Sequence, residues 1–381
     1  MTRFAKAFYH AYSRGALSPT PRPMVTSLHI LNFRCFRDVE MHGLKRVNIL
    51  VGDNGTGKTS LLEALFLAAG ASPELALRLR AFRGLVAAPA PVIQSVAPRT
   101  FFETLWRDLF YSFEQNTPIN IQLVGSVPSH TRMLTISYRT ARELVLPLGL
   151  GGAEVTESEP TVPLVFEWKD QAGKSDVAEA KMTTGGVQLG TVPNAIMTSF
   201  HAASMFEGNP FENANRFSQL SREKKQTPLV GAIRKEFPMI EDISVESDLG
   251  VPSLYASVRS LPQKLPLGAV SAGVSRIINV LLAVANCPGG IVMVDEVENG
   301  VYFRHFPWVW SMLLDFCREY NAQVFVTSHN QQCISSALQT VKANEDDFAL
   351  VRSERRNGQA TARVMTGHLL ASAIQEEIEV R

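Results

Sequence analysis

No run of about 18 or more apolar residues occurs anywhere in the chain, so no helical membrane span is expected. The first residues lack the apolar stretch of a secretory signal. Cysteine is scarce. Cys35, Cys287, Cys317 and Cys333 are scattered without a C-x-x-C pair, which argues against a disulfide framework or a zinc site and leaves buried thiols. An excess of charge of one sign is missing too: the net charge is +1, so contact with nucleic acid would have to come from a local patch. There is no internal repeat, no low-complexity tract and no sustained heptad pattern. These absences make a cytoplasmic protein the expectation. What is present, 381 residues of which 45% are hydrophobic, is enough for a large core in two or three units or one elaborated domain.

The strongest positive signal is Gly52-Asp53-Asn54-Gly55-Thr56-Gly57-Lys58-Thr59, which fits G-x-x-x-x-G-K-[ST]. An apolar, β-prone run, Val47 to Val51, precedes it, and the helix-favouring Ser60 to Ala69 follows. Strand, glycine loop and helix is the order that a phosphate-binding loop requires. Glycines let the backbone N–H groups of Asn54, Gly55, Thr56, Gly57, Lys58, Thr59 and Ser60 turn towards phosphate oxygens, and the helix start adds its positive dipole end. Lys58 is then expected on the β- and γ-phosphates of ATP, and the Thr59 hydroxyl on Mg²⁺.

A second signal is Ile291-Val292-Met293-Val294-Asp295-Glu296. Four apolar residues ending in two acids read as a buried parallel strand that delivers carboxylates to the sheet edge. Asp295 is expected to hold Mg²⁺ and Glu296 to polarise the attacking water. Gln323 to Thr327 reads as another buried strand, ending at Ser328-His329-Asn330. Phe306, Val309, Trp310, Leu313 and Cys317 recur at helical spacing as core.

Between these ends, Leu75 to Arg83 reads as a helix whose Arg78, Arg80 and Arg83 form a solvated face. A further helix is expected over Thr100 to Phe113. Strands follow at Ile119 to Val124, Met133 to Tyr138 and Leu164 to Trp168, with a long mobile hairpin loop from Pro147 to Pro163. Asn213 to Phe237 reads as helices broken at Pro228. Phe348 to Val351 and Ala362 to Met365 suggest a closing hairpin, with a terminal helix from Leu369 to Val380. Residues 1–24, basic and aromatic, read as a poorly ordered extension.

Ile30-Leu31-Asn32-Phe33-Arg34-Cys35-Phe36, followed by Asn48-Ile49-Leu50-Val51-Gly52, resembles the opening of the RecF/SMC-like branch of ABC ATPases. Within that branch the chain looks most similar to the ATPase half of overcoming-lysogenization-defect nucleases, which commonly carry the phrase found here at Glu298-Asn299-Gly300. Where those relatives often follow with Leu-His, this chain has Val301-Tyr302. The resemblance covers the two ends of the chain and not its middle.

The resemblance implies an α/β fold, an ABC-type P-loop ATPase head with one mixed sheet, an antiparallel β subdomain and a short helical insert. The expected divisions are 1–24 (extension), 25–190 (N-terminal lobe), 191–264 (helical insert) and 265–381 (C-terminal lobe). It puts Arg34 near the nucleotide, the alternative being a solvated arginine at a strand end. It aligns Ser271 and Gly273 with the L-S-G-G-Q signature, although a plain helix N-cap by Ser271 also explains that residue. It makes His329 a switch histidine sensing the γ-phosphate.

By the same resemblance two heads would trap two ATPs, Ser271 and Gly273 of one chain facing Lys58 of the other. Homodimers or larger homo-oligomers follow. Too little chain follows His329 for an appended nuclease domain, so an effector such as a nuclease or toxin is expected as a separate protein, in bacterial anti-phage defence. Two rival readings stand beside this one: a RecF-like repair clamp with DNA as partner, and an ATP-gated assembly module with negligible turnover.

Overall fold

The computed structural model describes residues 24–85, 98–139, 162–183, 186–204, 208–248 and 250–375. The basic extension up to residue 23 and most of the loop expected at 147–163 lie outside the described residues. β1 (Val25–Phe33) buries Val25, Leu28, Ile30 and Phe33, then turns at Arg34 and Cys35 into its antiparallel neighbour β2 (Phe36–His42). β3 (Val47–Val51) is buried at every position, as a strand covered on both faces must be. The difference sends them to different sheets.

After the glycine loop comes α1 (Lys58–Ala69), whose residues from Ser60 to Ala69 are all buried. A helix apolar all round belongs between layers. Next are α2 (Glu74–Phe82), α3 (Pro98–Trp106), β4 (Ile119–Gly125), β5 (Arg132–Tyr138), β6 (Leu164–Asp170), β7 (Ser175–Thr183) and β8 (Gly186–Leu189). With β1 and β2 the last five strands form a seven-stranded antiparallel sheet, in the order β2-β1-β4-β5-β6-β7-β8. Its inner face covers α1, and it also satisfies the helix's last carbonyls. Trp168 Nε1 donates to Leu67 O at 3.3 Å, and an Arg132 guanidinium nitrogen donates to Ala69 O at 3.1 Å.

The middle of the chain continues with β9 (Thr198–His201), α4 (Pro210–Arg222), α5 (Gln226–Glu236), β10 (Ile240–Asp248), β11 (Val251–Val258) and β12 (Leu265–Pro266). The C-terminal part adds α6 (Ala272–Ala285), β13 (Ile291–Val294), α7 (Phe306–Glu319), β14 (Gln323–Thr327), α8 (Gln331–Ser336), α9 (Leu338–Ala343), β15 (Phe348–Arg356), β16 (Gln359–Thr366) and α10 (Gly367–Gln375). A six-stranded sheet runs β16-β15-β3-β14-β13-β9, parallel from β15 to β9 with β16 antiparallel at one edge.

Alternate residues of this central sheet enter different cores. Val47, Ile49, Val292, Val294, Val324 and Val326 pack with Ile277 and Leu281 of α6 and Trp310 and Leu313 of α7. Leu50, Met293 and Phe325 pack with α1 and the antiparallel sheet. The layers are therefore antiparallel sheet, α1, central sheet, and α6 with α7. Gln323 pins the two sheets together: its amide accepts from Val25 N at 2.9 Å and donates to Val25 O and Lys45 O at 2.8 and 2.7 Å.

The fold is a mixed α/β arrangement of several sheets, and four details differ from expectation. The two ends do not form one sheet, because β1 and β2 join the antiparallel sheet while β3 joins the central one. The segment 191–264 is not simply helical. It gives β9 to the central sheet and β10 and β11 to a three-stranded antiparallel sheet with β12, around α4 and α5. The break between α4 and α5 falls at 223–225, with Lys224 at φ 58°, and Pro228 sits in the first turn of α5, where its missing N–H costs little. The helix expected over Thr100 to Phe113 stops at Trp106 and continues as short 3₁₀ turns. All four cysteines are free thiols, and burial pushes Cys287 up to about 11 and Cys317 up to about 12.

Candidate functional site

Register brings the carboxyl ends of β3, β14 and β13 level: Thr327 pairs with Leu50, and Val294 with Val326. The glycine loop, the acid pair and the histidine loop therefore leave the sheet at one edge, where open α/β sheets bind ligands. Gly52 leaves β3 at φ 141°, and a Cβ there would lie 2.0 Å from the Ser353 carbonyl oxygen. Only glycine fits. Gly57 has φ 106°, and its Cβ would meet Phe36 Cζ at 2.5 Å and Cys35 Sγ at 2.7 Å.

The loop is also braced from β15. Ser353 Oγ donates to Thr56 O at 2.8 Å and Arg355 Nε to Gly55 O at 3.2 Å. Asn54 and Gly55 form the exposed tip, while Thr56 and Ser60 are buried. No side chain caps the N-terminus of α1, so its first N–H groups remain directed out of the helix, as an anion site needs. Lys58 Nζ folds back onto Gly52 O at 2.7 Å and Asp53 O at 2.9 Å. Burial lowers its pKa, and the carboxylates of Asp295 and Asp53 oppose that shift.

Thr59 and Asp295 meet. The Thr59 hydroxyl lies 3.1 Å and 3.3 Å from the two carboxylate oxygens of Asp295. Thr327 holds the acid turn from β14: its hydroxyl donates to Asp295 Oδ1 at 2.6 Å and accepts from Glu296 N at 2.7 Å. Glu296 has φ 54°, a left-handed backbone that non-glycine residues seldom adopt. Its N–H is held by Thr327, and its carbonyl by Arg276 of α6 at 3.2 Å. Arg276 also donates to Asp295 O at 2.5 Å. The Glu296 carboxylate accepts from Asn299 Nδ2 at 2.6 Å and lies 3.7 Å from His329 Nδ1.

Lys58, Thr59, Asp295, Glu296 and His329 are thus brought into one neighbourhood. Ser271 and Gly273 are engaged elsewhere. Ser271 Oγ accepts from Val274 N at 3.3 Å, capping α6, and a Cβ on Gly273 would lie 2.1 Å from Gly300 O. The Ser271 N–H also donates to Leu267 O at 3.1 Å.

Arg34 is neither solvated nor laid on the glycine loop. Its side chain is 6% exposed, its Nε lies 3.2 Å from Glu63 of α1, and it pairs with Asp108. Of the arginines expected on a solvated face, Arg78 and Arg83 are exposed and Arg80 is half-buried, and Arg80 and Arg83 also join this cluster. Arg83 grips Glu63 with two bonds of 2.7 and 2.8 Å, and Arg80 holds Asp108 at 2.7 Å. Glu63→Ala would leave the buried Arg34, the half-buried Arg80 and the more exposed Arg83 with one acid. We expect a loss of about 3–5 kcal/mol in urea unfolding of the nucleotide-free protein. An unchanged midpoint, with only ATP affinity lowered by Arg34→Ala, would instead return Arg34 to a nucleotide contact.

Thr327, Arg276, Ser353 and Arg355 carry no mark in the sequence. Each is a single polar residue whose partner lies far off in sequence, so neither spacing nor composition marks it. A hydroxyl beside a carboxylate at the mouth of the glycine loop is a hard-oxygen donor pair of the kind that Mg²⁺ takes together with substrate phosphates. Thr59 and Asp295 therefore fit the metal. Among the described residues no cluster of three or more His, Cys, Asp or Glu forms a separate metal cage.

Residues 24–97 match the family described as AAA ATPase domain. An ATP/GTP phosphatase of Helicobacter pylori is 22% identical over 354 residues, covering 86% of this chain and 90% of that protein. The DNA replication and repair protein RecF of Nitrosococcus oceani is 54% identical, but over only 43 residues, 11% of this chain and 12% of RecF. Among solved structures, an SMC head bound to the C-winged-helix domain of ScpA aligns at 12% identity with a TM-score of 0.45, covering 90% of this chain and 98% of that one. The SMC head of Thermotoga maritima aligns at 11% identity with a TM-score of 0.40, covering 90% and 98%. The narrower resemblance to overcoming-lysogenization-defect nucleases rests on the sequence phrases alone. No helix among the described residues is long and apolar enough to cross a membrane.

Proposed function

We propose that this RecF/SMC-like ABC-type ATPase closes as a homodimer around two ATP molecules and uses their hydrolysis to sense a signal or hold a separate effector protein. The observation that carries this reading is the meeting of Thr59 with Asp295 across 236 positions of sequence. Backbone N–H groups from Asn54 to Ser60 take the phosphate oxygens, and Lys58 exchanges the carbonyls of Gly52 and Asp53 for the β- and γ-phosphates. Thr59 and Asp295 would hold Mg²⁺, which when bound neutralises charge on those phosphates.

Glu296, fixed by Thr327 and Arg276, orients and polarises the attacking water. His329 registers the γ-phosphate. Ser271 and Gly273 of the second copy close the site over Lys58. Catalysis on this account is positional and electrostatic. The phosphatase relative in Helicobacter pylori supports turnover, and the Glu298-Asn299-Gly300 phrase supports a defence role with an effector such as a nuclease or toxin.

A RecF-like DNA clamp is the second reading, favoured by the local match to RecF. One phosphate-release experiment separates the readings. Steady turnover of ATP or GTP by the wild type, lowered about 10²-fold or more in Lys58→Ala, supports the ATPase. A single burst without steady turnover favours a nucleotide-gated assembly module. Stimulation by DNA that fades with salt favours the clamp. No release with either nucleotide contradicts hydrolysis.

A further inference from the structure

Glu298 lies in the turn beyond the acid pair, and none of the steps above uses it. Its side chain is only 5% exposed. Its Oε1 accepts the backbone N–H of His329 at 2.9 Å and of Asn330 at 3.2 Å, and it faces His329 Nδ1 at 3.3 Å. Its Oε2 is buried without a hydrogen-bond partner among the described residues. A buried carboxylate is costly unless its charge is met. Here the donors that meet it come from the histidine loop, so the place of Glu298 sets the place of both the backbone and the ring at His329.

Glu298 is itself fixed by its turn. Val301 N donates to Glu298 O at 3.0 Å, and Asn299 N donates to Glu296 O at 3.1 Å. The turn rests on the first residues of α6, where the Gly300 carbonyl leaves no room for a Cβ on Gly273. A continuous set of contacts therefore runs from the start of α6 through the turn at 298–301 to His329.

We propose that Glu298 is a positioning residue that couples the histidine loop to this turn, so that His329 reaches the γ-phosphate only while the turn sits against Gly273. Glu298 does not touch nucleotide; it acts through His329. This inference rests on the ATP-binding reading above and adds to it the element that conveys γ-phosphate sensing to the signature end of α6.

The test is a double-mutant cycle on the full chain with Glu298→Gln, His329→Ala and the pair together. It reads equilibrium affinities for ATP and ADP alongside kcat and KM. The amide conserves shape, so folding is retained, while the charge that gathers the loop's donors is lost. Glu298→Gln is expected to keep ADP affinity, to lose about tenfold of the preference for ATP over ADP, and to lower kcat more than it raises KM. In the His329→Ala background the same change should add almost nothing, because the two residues act as one unit.

Losses that multiply in the double variant, or an equal fall in ATP and ADP affinity, overturn the coupling while leaving the ATPase reading intact. The ATP/ADP ratio needs no turnover, so it also serves if hydrolysis proves negligible. A wild type that binds no ATP at all would contradict the previous section and this coupling together.

Discussion

Glu296→Gln should bind ATP with wild-type affinity, lengthen the life of the ATP-bound dimer and lose about 10²- to 10⁴-fold of turnover, the range set by removing a positioned general base. The substitution is nearly isosteric. Asn299 can still donate to the amide oxygen, and the left-handed backbone at Glu296 stays fixed by its own N–H donating to the Thr327 hydroxyl and its carbonyl accepting from the Arg276 guanidinium, neither of which involves the side chain. What disappears is the negative charge proposed to polarise water. Because Lys58, Thr59 and Asp295 are untouched, nucleotide grip should survive. Stopped-flow phosphate release and light scattering with ATP read the two effects separately. Unchanged hydrolysis would remove Glu296 from its role.

Ser271→Arg and Lys58→Ala should each abolish activity alone and regain part of it when mixed. Ser271 Oγ accepts from Val274 N, and Gly273 abuts the Gly300 carbonyl. The proposed γ-phosphate role assigns them to the site of a second copy. In a mixed dimer one site pairs the intact Lys58 of the first variant with the intact Ser271 of the second, so roughly a quarter of wild-type turnover should return on statistical mixing. Recovery that depends on the mixing ratio supports shared sites. No recovery at any ratio would confine Ser271 to capping α6.

The glycine loop and the acid-tipped strand were legible in the sequence because local physics confines them. Gly52 combines positive φ with a backbone oxygen where a Cβ would sit, which excludes any other residue, and Gly57 combines positive φ with Phe36 and Cys35 side chains closer than a Cβ allows. Val292 and Met293 enter different cores, which is why β13 reads as an unbroken apolar run. Much of the scaffold was legible for the same reason, including α7 from its spaced Phe306, Val309, Trp310 and Leu313.

Long-range polar partners were not legible. Thr327 looks like any strand-end residue until Asp295 and Glu296 are placed beside it, and Arg276 is one cation in an apolar helix until its guanidinium is seen holding two carbonyls. Arg34 is the clearest case. The sequence placed Arg34 beside the loop but not its ion pairs with Glu63 and Asp108, which only the packing of α1 against the first strand turn brings together. β9 was missed because four residues carry too little periodicity, and its place is fixed by β13 rather than by its own sequence.

On the proposed function, a nucleotide triphosphate and a divalent cation are held together between Thr59 and Asp295. Electron spin echo spectroscopy with Mn²⁺ in place of Mg²⁺ tests it most directly. Tight Mn²⁺ binding is expected only when ATP is present, with phosphorus couplings from the bound nucleotide that are lost in Thr59→Val and Asp295→Asn. Mn²⁺ bound equally well without nucleotide, or phosphorus couplings that persist in both variants, would contradict it.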